Sequence, residues 1–189
     1  TIVSAMENLR DRFHIDRAFI VGVDGTVTGT DPGGLAAQGP DLVAAFSAAQ
    51  APKGVRLIAG VPYQLVASPI LSPDLKGWVV FAARLDDAEM TGLERLSSIP
   101  LDAAVAHRDA GAWSVGSKPA PEAARRFLDR PRAGSPLVAA LDMAGGRAAA
   151  LAKPLPGLTA QDRVSLLLTY PMSRALSPYR PLLATIAAL

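Results

Sequence analysis

Two stretches of this 189-residue chain follow one order of predicted elements. Residues 18–85 are predicted to form two strands joined by a tight turn, then a helix and three more strands, and residues 101–170 divide in the same order. The first hairpin of each stretch has its own turn signal, Asp-Gly at 24–25 and Asp-Ala-Gly at 109–111. Because the strands are joined by short loops, antiparallel pairing is favoured. The chain is therefore predicted to form two similar units, each a curved sheet with helices on one face.

Composition limits the classes of function that such a chain can have. Half of the residues are hydrophobic, so a core can form, but aromatic residues make up only 5% and the core must rest on Val, Leu and Ile. The net charge is +2 without a dense run of Lys or Arg, so no nucleic-acid partner is predicted. The chain has no cysteine, which excludes disulfides, thiolate zinc sites and cysteine nucleophiles.

The ends of the chain are predicted to be helices that each carry an apolar stripe. Over residues 1–14 the stripe consists of Ile2, Met6, Leu9 and Phe13. Over residues 172–189 it consists of Leu176, Tyr179, Leu183 and Ile186. The first stripe fits two interpretations, a helix packed on its own domain or one half of a dimer seam. No stretch reaches 18 uninterrupted apolar residues, and no signal peptide is visible. Because the sequence starts at Thr1 and not at methionine, and stops within a predicted helix, we expect a fragment of a longer protein.

Motifs of known enzymes are missing from the sequence. The Asp-Gly-Thr at 24–26 resembles part of the haloacid-dehalogenase motif, but the nucleophilic aspartate that should precede it is replaced by Gly22. Neither a Gly-x-Ser-x-Gly elbow nor a P-loop is present. The histidines, His14 and His107, are each predicted to be surface or interface residues, and adjacent Asp86 and Asp87 are predicted to cap a helix. The fragment is therefore predicted not to be an enzyme and to hold no metal or cofactor.

Polar side chains interrupt the apolar strands of the first unit. The candidate ligand-binding residues are Arg56, Tyr63, Ser68, Trp78 and Arg84. Either arginine can hold a carboxylate through two parallel hydrogen bonds, and the indole can stack on a ligand. The competing interpretation is that one face of an edge strand is wet, where arginine is ordinary, and that the tryptophan fills the core beside a turn. Both interpretations remain open from the sequence.

Three short strings carry a family resemblance. They are AFIVGVDGTVTGTD at 18–31, YQLVASPILSPDLKGWVVFAARLDD at 63–87 and LSPYRPLL at 176–183. The first is similar to the opening hairpin of the double Cache sensor domains of bacterial transmembrane receptors. The second resembles the Tyr-containing strand, the proline, the hairpin and the Gly-Trp-Val-Val strand of that family, and the third resembles its exit helix before a second membrane span. With the layout of the elements, the resemblance covers nearly the whole chain.

The resemblance implies an α+β fold of two tandem PAS-like (Cache) units with antiparallel sheets, flanked by an N-terminal and a C-terminal helix. The expected boundaries are an N-terminal helix at 1–17, a membrane-distal first unit at 18–100 with a connecting helix at 86–96, a membrane-proximal second unit at 101–171, and an exit helix at 172–189. The second unit is poorer in polar strand residues, so it is expected to be a structural spacer without a ligand.

Such domains lie outside the cytoplasmic membrane between two transmembrane helices, ahead of a histidine kinase, a nucleotide cyclase or a chemotaxis transducer. The resemblance thus implies that this chain is the extracytoplasmic, periplasmic part of an inner-membrane protein. The protein would contact the membrane only through flanking spans, which this fragment lacks. A small molecule, such as an organic acid or another metabolite, would bind in the first unit and act through the terminal helices of a homodimer. The amino-acid-binding signature of the family does not map onto this sequence. The alternative is a ligand-free dimerisation or protein-interaction relay domain.

Overall fold

The computed structural model describes residues 15–29, 34–48, 52–130, 135–143 and 146–176. They fall into two compact units, described separately below. Residues up to Leu85 together with Leu155–Val164 form the first unit, and Asp86–Pro154 together with residues from Ser165 onward form the second. Each unit contains one sheet, of five strands in the first and six in the second. The predicted α+β fold of two antiparallel sheets with a few helices is confirmed.

The sheet of the first unit has the strand order β2-β1-β5-β4-β3. Its strands are β1 (Arg17–Gly22), β2 (Val27–Gly29), β3 (Lys53–Ile58), β4 (Val61–Leu71) and β5 (Leu75–Arg84). A 3-10 turn at Ala36–Gln38 leads into helix α1 (Gly39–Ser47), which has a proline in its first turn. Proline fits there because the first helical N–H groups have no partner within the helix.

One face of this sheet is buried and faces α1. Along β4 the residues Tyr63, Leu65 and Ala67 are buried while Val66 and Ser68, which alternate with them, are exposed, as expected for a strand with one covered face. Leu42 and Phe46 of α1 join the same core. The buried members of the core are Phe19, Val21, Leu35, Leu42, Phe46, Ile58, Tyr63, Leu65, Ala67, Trp78, Val80 and Ala82.

Pro69 shows how β4 accommodates a residue that cannot donate a hydrogen bond. The register of β3 on β4 runs only as far as Val66, so β4 has no β3 partner beyond that point. A register irregularity with β5 follows between Ile70 and Leu71. Proline is tolerated at edges and bulges because no ladder bond is lost there.

The segment Leu155–Val164 completes the first unit along the edge of β3. Val55 pairs with Gly157 in a parallel bridge, and its N–H and C=O bond to Pro156 O (2.8 Å) and Leu158 N (2.9 Å). The backbones approach so closely that a Cβ on Gly54 would lie 2.6 Å from Leu158 N. The sequence-based boundaries missed this return of the chain, because a bridge between residues so far apart leaves no local signal.

The sheet of the second unit has the strand order β8-β7-β6-β11-β10-β9. Its strands are β6 (Asp102–Asp109), β7 (Ala112–Val115), β8 (Lys118–Pro119), β9 (Leu137–Met143), β10 (Gly146–Leu155) and β11 (Val164–Pro171). Its helices are α2 (Asp87–Leu96), α3 (Glu122–Leu128) and α4 (Met172–Leu176). Phe127 and Leu128 of α3 pack in its core with Trp113, Leu141 and Leu167.

Helix α2 belongs to the second unit, whereas the sequence placed it with the first. Asp86 caps it as predicted, since its carboxylate accepts hydrogen bonds from the backbone N–H groups of the first turn. Its other end is tied to β6, because Glu94 Oε1 accepts from the Ala103 N–H at 2.7 Å. The boundary between the units therefore lies after Leu85 and not at residue 100.

Parts of the chain to which the sequence assigned structure lie outside the described residues. They are the N-terminal helix at 1–14, the loop at 30–33, the hairpin residues 144–145 and the exit segment beyond residue 176. Across the stretches that the structure does describe, no helix combines the length and apolar character that a bilayer span requires.

Candidate functional site

Three of the predicted ligand-binding residues form one row across the first sheet. The register pairs Arg56 of β3 with Tyr63 of β4, and Tyr63 with Arg84 of β5. Directly opposed residues share a face, and adjacent strands are about 4.8 Å apart, so the two arginines flank the tyrosine on the face that α1 covers. The sheet register thus brings three of the five predicted residues together on one face.

Tyr63 lies at the centre of the row. It is 4% exposed and belongs to the core of the first unit. The guanidinium carbon of Arg17, on β1, lies 5.3 Å from the centroid of its ring, which is within cation–π distance. A buried aromatic ring therefore has arginines of three strands around it.

Arg56 is held by partners on three segments of the unit. Its Nε–H donates to Gln38 Oε1 at 2.9 Å, and Nη2 donates to Asp41 Oδ2 at 3.2 Å. Its Nη1 donates to Thr159 Oγ1 at 3.3 Å and to Asp162 Oδ2 at 3.4 Å. These contacts join β3 to the 3-10 turn, to α1 and to the segment Leu155–Val164.

This network is largely dry. The side chain of Arg56 is 11% exposed and that of Asp162 is 7% exposed. Asp162 also accepts from the backbone N–H and the hydroxyl of Thr159, at 2.8 and 2.7 Å. Buried charges persist only when they are paired and hydrogen-bonded, and both conditions are met. The expectation that Arg56 lies on a wet strand face is therefore wrong, since its side chain is committed to the inside of the unit.

Arg84 lies at the solvent-exposed end of the row. Its backbone N–H donates to Asp16 Oδ2 at 2.7 Å, so an aspartate just before β1 fixes the end of β5. The side chain of Arg84 is exposed while its neighbour Tyr63 is buried, so the row is accessible to solvent at the Arg84 end.

The two other predicted residues lie elsewhere. Trp78 is buried in the core, where its ring centroid is 5.8 Å from that of Phe46, so it fills the core beside a turn. Ser68 is exposed and pairs with Val79, on the face opposite to Tyr63. Two side chains on one face of a strand lie an even number of positions apart, and Ser68 is five positions from Tyr63. Neither residue joins the arginine–tyrosine row.

The motifs that resembled enzyme sites have structural roles. Asp24 accepts from the hydroxyl and the backbone N–H of Thr26, which lowers the pKa of its carboxyl and fixes the turn after β1. His107, predicted to be a surface or interface residue, is buried in β6. No group of three or more His, Asp or Glu side chains able to hold a metal ion occurs within the described ranges.

The structure is similar to the ligand-binding domain of the Pseudomonas fluorescens chemoreceptor CtaA in complex with L-serine, with a TM-score of 0.55 and 13% identity over 91% of this chain and 79% of that one. The chain has the double Cache fold. It is also similar to an extracellular ligand binding receptor from Desulfohalobium retbaense, with a TM-score of 0.52 and 15% identity over 89% of this chain but only 32% of that one. At these identities the likeness is one of fold. No family model and no curated protein matches the sequence.

Within this double Cache fold, sequence reasoning missed several residues of the candidate site. Arg17 was assigned to the end of the N-terminal helix, yet it begins β1 and lies over Tyr63. Asp162 and Thr159 were left in a loop. A period-two count extended back from Phe19 would have placed Arg17 on the covered face. Nothing local could have paired Asp162 with Arg56, since 106 positions separate them.

Proposed function

We propose that this chain is the extracytoplasmic sensory module of a membrane-bound signalling protein and that it binds a small organic anion in its first unit. The observation that carries the proposal is the arginine–tyrosine row, in which Arg17, Arg56 and Arg84 surround Tyr63 on the helix-covered face. Guanidinium groups hold carboxylates through charge-assisted hydrogen bonds, and the aromatic ring supplies an apolar wall. The double Cache fold, shared with the ligand-binding domain of CtaA, supports a binding role and not an enzymatic one.

The Arg56 network gives binding a way to act at a distance. A carboxylate that draws Arg56 away would leave Asp162 buried without its cation, which is costly. The segment Leu155–Val164 would then lose a tie to β3, and this segment connects β10 directly to β11 of the second unit. A ligand shifts an equilibrium only through its different affinity for two states. A carboxylate ligand would bind more tightly to the state in which Arg56 has left Asp162, and this competition for Arg56 supplies the difference in affinity. We expect the terminal helices of a dimeric receptor to carry the shift onward to its output domain.

Calorimetric titration with succinate, L-malate and L-serine tests the binding proposal. Arg84→Gln and Arg17→Gln should each weaken the binding of the responding anion by about tenfold or more, since one charge-assisted hydrogen bond contributes about 1.5–3 kcal/mol. Lys53→Gln is the matched control, because Lys53 is an exposed cation of the same sheet. Three positions separate it from Arg56, so its side chain lies on the opposite face of β3. Equal affinities in all variants, or no heat with a broad set of anions, would refute the proposal.

The competing function is a relay domain that dimerises or docks a protein without a small ligand. The internal partners of Arg56 favour it, because its Nε, Nη1 and Nη2 atoms all donate to groups of the unit itself. The close packing of Phe46 on Trp78 points the same way. Concentration-dependent dimerisation in analytical ultracentrifugation, combined with silence in the calorimetric titrations, would select this function over ligand sensing.

A further inference from the structure

The second unit contains a concave site that the spacer interpretation does not explain. It is a cleft of about 500 Å³ between the turn that joins β6 to β7, the end of β8 and one side of α3. A volume of this order is typical of small-molecule sites. Its walls combine the ring of Trp113 with one cation, Arg125, and one carboxylate, Asp129.

The aromatic wall of the cleft is fixed in place. Trp113 is 7% exposed, and its indole N–H donates to Asp129 Oδ1 at 2.8 Å. Arg108 lies over the indole with its guanidinium carbon 6.0 Å from the ring centroid. Its Nε–H donates to Gly111 O at 3.0 Å, so the same arginine also holds the turn at the rim. The ring is therefore held in place, and the small part of it that is exposed lines the cleft.

The rim of the cleft is held in a conformation that alanine rarely adopts. Ala110 has φ of 44° and Gly111 has φ of 86°, both in the left-handed region. Two successive left-handed residues form the usual two-residue turn of a tight hairpin, and the turn at Ala59 and Gly60 has the same conformation. The turn places small residues at the rim of the cleft, beside Trp113.

The two charges in the cleft do not satisfy each other. Arg125 pairs with Glu122 through Nη2, and no bond of its Nε or Nη1 occurs in the described part of the chain. Asp129 Oδ1 accepts hydrogen bonds from the indole N–H of Trp113 and from Nη1 of Arg108, and Oδ2 has no hydrogen bond among the described residues. The cleft thus offers one cation and one carboxylate, each with an atom still able to form a hydrogen bond, and a zwitterion complements that charge pattern.

We propose that this cleft binds a small zwitterion, with its carboxylate on Arg125, its ammonium on Asp129 and its carbon chain against Trp113. The site is independent of the arginine–tyrosine row, which contains cations and no carboxylate. Substitutions that abolish binding at one site should therefore leave binding at the other unchanged.

The indole N–H resonance of Trp113 in ¹⁵N-labelled protein reports on this cleft. The chain has two tryptophans, so Trp113→Phe assigns the two indole signals and Trp78 serves as the internal reference. β-Alanine should shift the Trp113 signal in a saturable manner and leave the Trp78 signal unchanged. Propionate and ethylammonium, which each carry one of its two charges, should bind about tenfold more weakly or worse.

The variants Arg125→Gln and Asp129→Asn should each reduce the affinity for β-alanine by about tenfold or more. Asparagine keeps an acceptor for the indole, so an unmoved Trp113 signal in the free variant shows that the wall is intact. Arg126→Gln is the control, because Arg126 shares Glu122 with Arg125 but its side chain is 78% exposed and does not line the cleft. An absent Trp113 shift at high millimolar β-alanine, or equal affinity in all three variants, would overturn the proposal.

Discussion

The ion pair between Arg56 and Asp162 should stabilise the first unit far more than an exposed pair of the same length. The two atoms are 3.4 Å apart, with side chains 11% and 7% exposed. The pair between Arg174 and Asp102 in the second unit spans 3.2 Å, with side chains 51% and 52% exposed. The second pair is thus an exposed comparison of similar length, and the first pair also belongs to a wider network, since Arg56 donates to Gln38, Asp41 and Thr159.

The expected magnitudes follow from Coulomb's law and from desolvation. At an effective dielectric constant of about 20 the buried pair attracts with roughly 5 kcal/mol, whereas in water the exposed pair attracts with roughly 1 kcal/mol. Removing one partner of a buried pair costs about 3–5 kcal/mol because it leaves an unpaired charge. Thr159 still donates two hydrogen bonds to Asp162, so Arg56→Met should fall at the low end, about 3 kcal/mol.

A double-mutant cycle with Arg56→Met and Asp162→Ala separates the pair from the other contacts of each residue. We expect a coupling of about 2 kcal/mol for this pair in urea unfolding, and below about 1 kcal/mol for the exposed pair. Hydrogen exchange at the Leu158 N–H, which bonds to Val55 O, should accelerate in Arg56→Met because the segment loosens locally. Equal coupling for the two pairs, or unchanged exchange at Leu158, would refute this account of the network.

Four further outcomes are expected. In thermal melts, Gly77→Ala should destabilise the first unit by about 1–3 kcal/mol, since φ is 153° and the new Cβ would lie 2.3 Å from a backbone oxygen of β1. In the same melts Gly92→Ala should stabilise α2 by about 0.5–1 kcal/mol, because a Cβ there meets no atom within 4 Å. Phe46→Ala should cost about 3–5 kcal/mol in urea unfolding and shift the fluorescence of Trp78, and an unchanged spectrum would contradict the ring contact. Hydrogen bonding and attraction from two arginines lower the pKa of Glu122. Its stabilisation of α3 is therefore complete above the ordinary glutamate pKa of about 4.3 and is lost as the pH falls through the depressed value. The stability difference between wild type and Glu122→Gln should shrink in acid, and a difference that grows would be inconsistent.

The periodicity of the sequence located most elements of both units but missed β8, the sixth strand of the second sheet, because it has only two residues. Strands β4 and β9 begin and end within two residues of the predicted positions, and α2 is capped by Asp86 as predicted. These features are local, because alternation, turn residues and caps act over a few positions. The same alternation placed Arg56, Tyr63 and Arg84 in strands and so identified three members of the candidate site.

Tertiary structure decided what those residues do. Sheet register brought Arg56 and Arg84 to either side of Tyr63 and sent Ser68 to the opposite face. The return of Leu155–Val164 to β3 gave Arg56 a buried partner 106 positions away, so this candidate ligand-binding residue also ties two segments of the first unit together. Short-range patterns fix the elements because they depend on neighbours in sequence, whereas charge pairing and clefts depend on which faces meet in space.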